Sequence, residues 1–245
     1  LAERLRLDTL LVERGLARSR EHAKAMIMAG QAVVGDHRAE KPSQLVSRTE
    51  EIRLKNDPHP YVSRGGVKLE GALDDLKLDV AGLHVLDIGA STGGFTHCLL
   101  LRGAAAVTAV DVGYGQMALS LRDDPRVHVL ERQNARYLTE ELVGGKKDMA
   151  VVDVSFIGLD KILPAVSNII KPKGLILALV KPQFEVGKGQ VGKGGVVRDE
   201  KLRELAVERV KQFAEKLGLK LLNEAPSRLP GPKGNIEHFV CWRKD

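Results

Sequence analysis

From residue 84 onward, short apolar runs alternate with segments of helical periodicity, and this alternation constrains the fold more than any other feature of the chain. Strand-length runs lie at 84–88, 106–110, 127–130, 149–154, 175–180, 219–224 and 237–242. A helix is expected ahead of them at 66–76, and others between them at 94–102, 116–121, 159–170 and 200–217. Strands that alternate with helices predict an α/β fold, a doubly wound, mostly parallel sheet covered on both faces. A ligand of such a sheet belongs at the carboxyl ends of its strands.

The first part of the chain reads differently. Leu7, Leu10, Leu11 and Leu16 recur at helical spacing, and Gly15 is a natural stop. Ser19 suits the N-cap of a second helix, with His22 three residues on. Ala23, Met26 and Ile27 give that helix an apolar face, and Gly30 ends it. Short strands at 31–34 and 51–54 complete a small α+β unit. Asn56-Asp-Pro-His-Pro60 then interrupts all periodicity. The expected organisation is therefore a domain over 1–55, a linker at 56–60 and a larger domain over 61–245.

Composition narrows the function classes. No apolar run approaches the ~18–20 residues of a membrane helix, and residues 1–11 lack a signal peptide's apolar core. Cys98 and Cys241 show no paired spacing, which fits a reducing compartment, so a cytoplasmic protein is expected. The seven histidines show no metal-ligand spacing, and no metal is expected. Lys and Arg number 38 against 32 Asp and Glu, a net charge of +6 that favours a polyanionic partner. Aromatic content of 4% argues against a wide base-stacking platform.

The densest local motif is Val85-Leu-Asp-Ile-Gly-Ala-Ser-Thr-Gly-Gly-Phe95, where a strand meets a helix through glycines 89, 93 and 94. Small residues there let backbone approach a cofactor closely. Asp111 ends the next strand about 20 residues on, where an acid can hold both hydroxyls of a ribose. Asn134 follows the third strand and Asp153 ends the fourth, so polar groups from four tips share one sheet edge. A nicotinamide or flavin site is the alternative, but its fingerprint wants glycine at position 91, which is Ser91. The spacing resembles motif I of S-adenosylmethionine-dependent methyltransferases. That resemblance implies a cofactor site at Asp87, Gly89, Ala90, Ser91, Thr92, Gly93, Gly94, Phe95, Thr96, Asp111, Val112, Asn134, Ala135 and Asp153.

Arg18, Arg20 and Lys24 flank the polar side of the second predicted helix, and a solvated face is the ordinary reading of such charges. The stretch from Arg6 through Ser19-Arg-Glu-His-Ala23 and Gly30-Gln-Ala-Val33-Val-Gly35 to Lys41-Pro42 resembles the RNA-binding domain of ribosomal protein S4. The resemblance implies phosphate contacts by Arg6, Arg18, Arg20, Lys24 and Lys41, although Val34 stands where that family usually has Asn. Contacts of this kind supply affinity and register rather than sequence choice.

Lys68, Asp153, Lys181 and Glu237 have ordinary readings singly, as surface charges or ion pairs. Together they follow the Lys-Asp-Lys-Glu order of FtsJ-like ribose 2′-O-methyltransferases, which implies a catalytic set. A ribose hydroxyl is a poor nucleophile at neutral pH, so its attack on a sulfonium methyl needs proton removal or polarisation. Tyr61-Val-Ser-Arg-Gly-Gly-Val-Lys-Leu69, Ala109-Val-Asp-Val-Gly-Tyr-Gly-Gln116, Glu131-Arg-Gln-Asn-Ala-Arg136 and Val152-Asp-Val-Ser-Phe156 extend the likeness. With these blocks the whole chain resembles the TlyA family of rRNA cytidine 2′-O-methyltransferases, often named haemolysins. The resemblance implies ribosomal RNA or ribosomal subunits as partner and the 23S-only type by length, with 16S as a further target. His97 stands where the family usually has Asp, so a hold on the methionine amino group by that acid is expected to be weakened or reshaped. The run Gly187-Lys-Gly-Gln-Val-Gly-Lys-Gly-Gly195 lacks Walker spacing and reads as a loop beside Lys181, able to order over RNA. A membrane-acting haemolysin and an RNA-binding protein with an inactive methyltransferase fold are the rival classes.

Overall fold

The computed structural model describes residues 4–14, 16, 17, 19–35, 37–48, 50, 52–54, 59–187, 189–192, 194–231 and 234–245. They divide into two compact units, Leu1–Pro60 and Tyr61–Asp245.

In the first unit, helices Leu7–Glu13 and Arg20–Met28 bury Leu7, Leu10, Leu11, Ala23 and Ile27 against Ala32, Val46 and Ile52. Ser19 is extended, and its Oγ accepts the His22 N–H at 3.1 Å, the N-cap that the sequence predicts. Strand Ala32–Val34 lies between His37–Arg38 and Ile52–Leu54. Gly35, at φ +57°, turns the chain between the first two of these. A separate pair, Arg4–Arg6 with Leu45–Ser47, went unforeseen because three-residue strands are too short to display alternation. Gly15 and Glu51, invoked above as a helix stop and a strand start, lie outside the described residues.

The second unit contains one sheet. Its strands are β1 (His84–Ile88), β2 (Ala106–Val110), β3 (Val127–Leu130), β4 (Lys147–Val152), β5 (Ile170–Val180), β6 (Leu219–Pro226) and β7 (His238–Lys244). Their order is β3-β2-β1-β4-β5-β7-β6, with β7 antiparallel to both neighbours and every other pair parallel. The twofold period of the strands divides one apolar run into two cores. Val85, Met149, Val151, Leu177, Leu179, Phe239 and Cys241 face one side, where helices Arg64–Asp75 and Gly94–Leu101 supply Leu69, Leu73 and Leu99. Leu86, Ile88, Ala150, Val152, Ile176, Val240 and Trp242 face the other, against helices Leu163–Ile169 and Glu200–Lys216. Burial on both faces is why these strands read as continuous apolar runs. Both cysteines are buried and free.

Several expected boundaries move. The helix expected over 159–170 is split into a 3₁₀ turn, Leu159–Lys161, and the helix Leu163–Ile169. Pro164 lacks the N–H that would have continued the first turn into the second. The segment expected as a helix at 116–121 narrows to Leu119–Arg122. β4 starts at Lys147 and stops at Val152, so Asp153 stands just beyond the strand.

Candidate active site

Four loops converge at the carboxyl edge of the parallel strands. Directly after β1, Gly89 has φ +84°, and a Cβ there would run into the carbonyl oxygen of Asp153. Gly93, at φ +95°, opens helix Gly94–Leu101. Between them Ser91 is also left-handed, at φ +49°. Its N–H donates to Asp111 Oδ2 at 2.8 Å, and the Gly113 N–H donates to Asp111 Oδ1 at 2.7 Å. One carboxylate thus fastens the glycine loop to the turn after β2, and Gly89 lets that loop pack directly on the Asp153 backbone. Val112 projects beyond it, 70% exposed.

Not every expected cofactor residue presents its side chain. Asp87, Phe95 and Thr96 are buried, so only their main chain can approach a ligand at this edge. Thr96 Oγ1 donates to Asp87 Oδ2 at 2.6 Å, while Asp87 Oδ1 has no hydrogen-bond partner among the described residues. Burial pushes the Asp87 carboxyl up to about 7 against the Thr96 bond, and the charge of Asp153 adds to the rise. Asn134 is exposed and its Oδ1 accepts the Arg136 N–H at 3.1 Å, which leaves its amide group for a ligand. Ala135 is buried. His97 is engaged within the protein: its Nδ1 accepts the Val62 N–H at 3.2 Å, and its ring meets Tyr61 edge-on. Burial lowers its pKa, in keeping with a neutral acceptor.

The four residues of the expected catalytic set form two ion pairs on this edge. Lys68, on helix Arg64–Asp75, places Nζ 2.5 Å from Glu237 Oε2, with side chains 10% and 1% exposed. Lys181 Nζ lies 2.5 Å from Asp153 Oδ1 and donates to Ser155 Oγ at 3.0 Å. The register explains the gathering. Val180 pairs with His238, which sets Lys181 opposite Glu237, and Ala178 pairs with Val152, which brings Asp153 to within two residues of that level on the next strand. Phe156 stands beside them, 92% exposed at φ +65°, its ring centroid 5.2 Å from that of Phe184.

Asn235 and Ser155 were missed from sequence, each looking like an ordinary loop polar residue. Asn235 is 3% exposed; its Oδ1 accepts the Val197 N–H at 3.0 Å and its Nδ2 donates to the Gly195 carbonyl at 2.8 Å. It pins the end of the glycine-rich run two residues before Glu237. Lys188 and Lys193 of that run lie outside the described residues.

In the first unit, Arg6 grips Asp8 through two bonds, Nε to Oδ1 at 3.0 Å and Nη2 to Oδ2 at 2.7 Å. Arg20 reaches the same carboxylate at 3.5 Å. Lys24 and Lys41 are exposed, and Arg18 lies outside the described residues. Asp8, fully buried and absent from the expected set, organises two of the arginines. The Arg6 bonds hold its carboxyl down at about 2. A depressed carboxylate pKa contributes stability above the unfolded value near 4, and that contribution is lost as pH falls through 2. Chemical denaturation of Asp8→Asn and the parent should therefore show a stability gap at pH 6 that closes toward pH 2; a constant gap would contradict the pairing.

Among the described residues, no cluster of His, Cys, Asp or Glu is suited to a metal ion, and no helix is long and apolar enough to cross a membrane.

Comparison with known proteins agrees with this geometry. Residues 61–244 match the FtsJ-like methyltransferase family, and residues 5–52 match the S4 domain. The 16S/23S rRNA (cytidine-2'-O)-methyltransferase TlyA of Mycobacterium tuberculosis is 52% identical over 244 residues, 99% of this chain and 91% of its own. The 23S rRNA (cytidine-2'-O)-methyltransferase TlyA of Campylobacter jejuni is 36% identical over 80% of this chain and 76% of its own. A solved structure named as a hemolysin, from Streptococcus thermophilus, superposes with a TM-score of 0.78 at 41% identity, covering 100% of this chain and 90% of its own. The chain belongs to the TlyA family, with an S4 domain and an FtsJ-like methyltransferase domain.

Proposed function

We propose that this chain transfers a methyl group from S-adenosylmethionine to the 2′-oxygen of a cytidine ribose in ribosomal RNA. The observation that carries the reading is the pairing of Lys181 with Asp153, and of Lys68 with Glu237, on the strand edge that also holds the Asp111 loop. S-adenosylmethionine, when bound, supplies a methyl activated by its sulfonium. The Asp111 carboxylate would accept from both ribose hydroxyls of that cofactor, with the Gly89–Gly93 backbone beneath the methionine chain and Val112 and Asn134 beside the adenine. Lys181, as an ammonium, meets the target 2′-oxygen and stabilises the charge that develops as the hydroxyl proton passes to the neighbouring Asp153 carboxylate or to water. Asp153 and Ser155 aim the amine, and Glu237 with Lys68 borders the hydroxyl. The exposed Phe156 ring offers an apolar face to the target base.

The closest test is incubation with methyl-labelled cofactor and ribosomal subunits, followed by mapping of the label. Label on a cytidine 2′-oxygen is expected, and mapping distinguishes 23S from 16S. The Mycobacterium tuberculosis relative is named for both, so length alone does not carry a 23S-only assignment. Absence of transfer together with lysis of erythrocytes by detergent-free protein would favour the haemolysin reading. RNA binding without transfer would favour an inactive fold.

Asp111→Ala removes an acceptor of two charge-assisted bonds, each worth about 1.5–3 kcal/mol. Calorimetry should show cofactor binding weakened tenfold or more. Equal affinity would sink the cofactor assignment, and preferential NAD binding would replace it.

Residues 1–55 act as the RNA anchor in this reading, and 61–245 carry the chemistry, in the cytoplasm where ribosomal subunits reside. Protein lacking residues 1–60 should bind cofactor normally but methylate subunits poorly. Joint replacement of Arg18 and Arg20 by Ala should flatten the salt dependence of RNA binding by about one unit of slope per lost phosphate contact. Full activity of the shortened protein at moderate salt would remove the anchor role.

A further inference from the structure

The segments that follow β4 and β5 are joined at three successive points. Lys181 meets Asp153 and Ser155, the Phe184 ring meets Phe156, and Glu185 Oε1 accepts the Leu159 N–H at 2.9 Å. The first two contacts involve groups that face the substrate. The third does not. Glu185 closes the short helix Pro182–Glu185, which starts immediately after Lys181, and Leu159 opens the 3₁₀ turn that ends the Asp153–Gly158 segment. Asp160 follows that turn's first residue, so the half-buried carboxyl at 185 is held beside another acid. Nothing in local helix formation demands an acid there: in the last turn of a helix a negative charge opposes the dipole. Its single protein partner among the described residues is the N–H across the gap.

We propose that Glu185 is a positioning residue for methyl transfer. By accepting the Leu159 N–H it locks the two strand-tip segments into one ledge, and so holds the Lys181 amine on its line to Asp153 and the target oxygen. The proposal rests on the reading of Lys181 given above. A displacement of about 1 Å at a reacting group can cost on the order of 10²-fold in rate. Lys181 sits four residues from the brace, with Pro182 stiffening the step between them.

What the brace requires is an acceptor of the right reach, whatever its charge. Glu185→Gln keeps both reach and acceptor oxygen. Glu185→Asp keeps the charge but is one methylene short, and Glu185→Ala has neither. Single-turnover methylation of ribosomal subunits should fall roughly tenfold to a hundredfold for the Asp and Ala variants. Cofactor affinity and the KM for subunits should stay near the parent values, and Gln should restore most of the rate. Equal impairment of Gln and Ala, or full activity of Asp, would overturn the brace in favour of a role for the charge. Full activity of Ala would overturn it outright. Should the Ala variant fail to fold, the Gln and Asp pair still decides. A Lys181→Ala arm separates the two readings: if that variant keeps its turnover, the catalytic assignment fails; if it is inactive while Glu185→Asp is normal, the brace alone fails.

Discussion

Lys181→Ala should abolish methyl transfer while leaving cofactor binding intact. The amine follows directly on a strand inside the sheet and contacts two side chains of the neighbouring tip, Asp153 at 2.5 Å and Ser155 at 3.0 Å. Without it the developing alkoxide loses the cation that meets it directly, and the loss should be on the order of 10²-fold or more in turnover. Asp153, 21% exposed, can be rehydrated when its partner is removed, so the fold should survive with a small drop in melting temperature. Rate measurement on ribosomal subunits, with calorimetry of cofactor binding alongside, checks both halves. Near-normal turnover would dismiss the whole catalytic set.

Lys68→Ala should behave differently, because its cost falls on the fold. Its partner Glu237 is 1% exposed and cannot be rehydrated in place. Removing one member of a buried pair typically costs about 3–5 kcal/mol, since the other charge is left uncompensated. Urea denaturation should therefore show a marked loss of stability in Lys68→Ala and a smaller one in the double variant Lys68→Met, Glu237→Leu. Both should be inactive. Wild-type stability in Lys68→Ala would mean that the buried pair contributes no such strength.

The inner strands of the second unit's sheet were legible because both faces are covered, so Lys147–Val152 and Ile170–Val180 carry long apolar runs. The catalytic set was legible only through resemblance. Lys68 and Glu237 are 169 residues apart, and neither periodicity nor spacing says that they meet. Register supplies that information: Val180 opposite His238 brings Lys181 and Glu237 to one level. Short-range chemistry was legible at Ser19, whose cap is a local hydrogen bond, and illegible at Asn235, whose two partners are 38 and 40 residues away. Asp8 escaped notice for the same kind of reason. A lone acid at the start of a helix reads as favourable to the dipole, and nothing local marks it as the hub of two arginines. His97, standing where the family has an acid, was expected to weaken or reshape a cofactor contact; its imidazole is committed to the Val62 N–H.

The antiparallel insertion of β7 between β5 and β6 has a consequence for synthesis. Chain growth delivers the glycine loop, Asp111, Asp153 and Lys181 well before the last segment, and β1 to β5 can pair as they emerge. Glu237 arrives only with β7, which must thread between β5 and β6, both already made. Until then Lys68 faces an empty slot, and β5 and β6 stand without the neighbour that joins them. A chain stopped short of residue 237 would hold its cofactor loop but not its full reacting set. In the proposed reading, competence for transfer therefore waits for β7, and a strand made after all its neighbours completes a set whose target is ribosomal RNA.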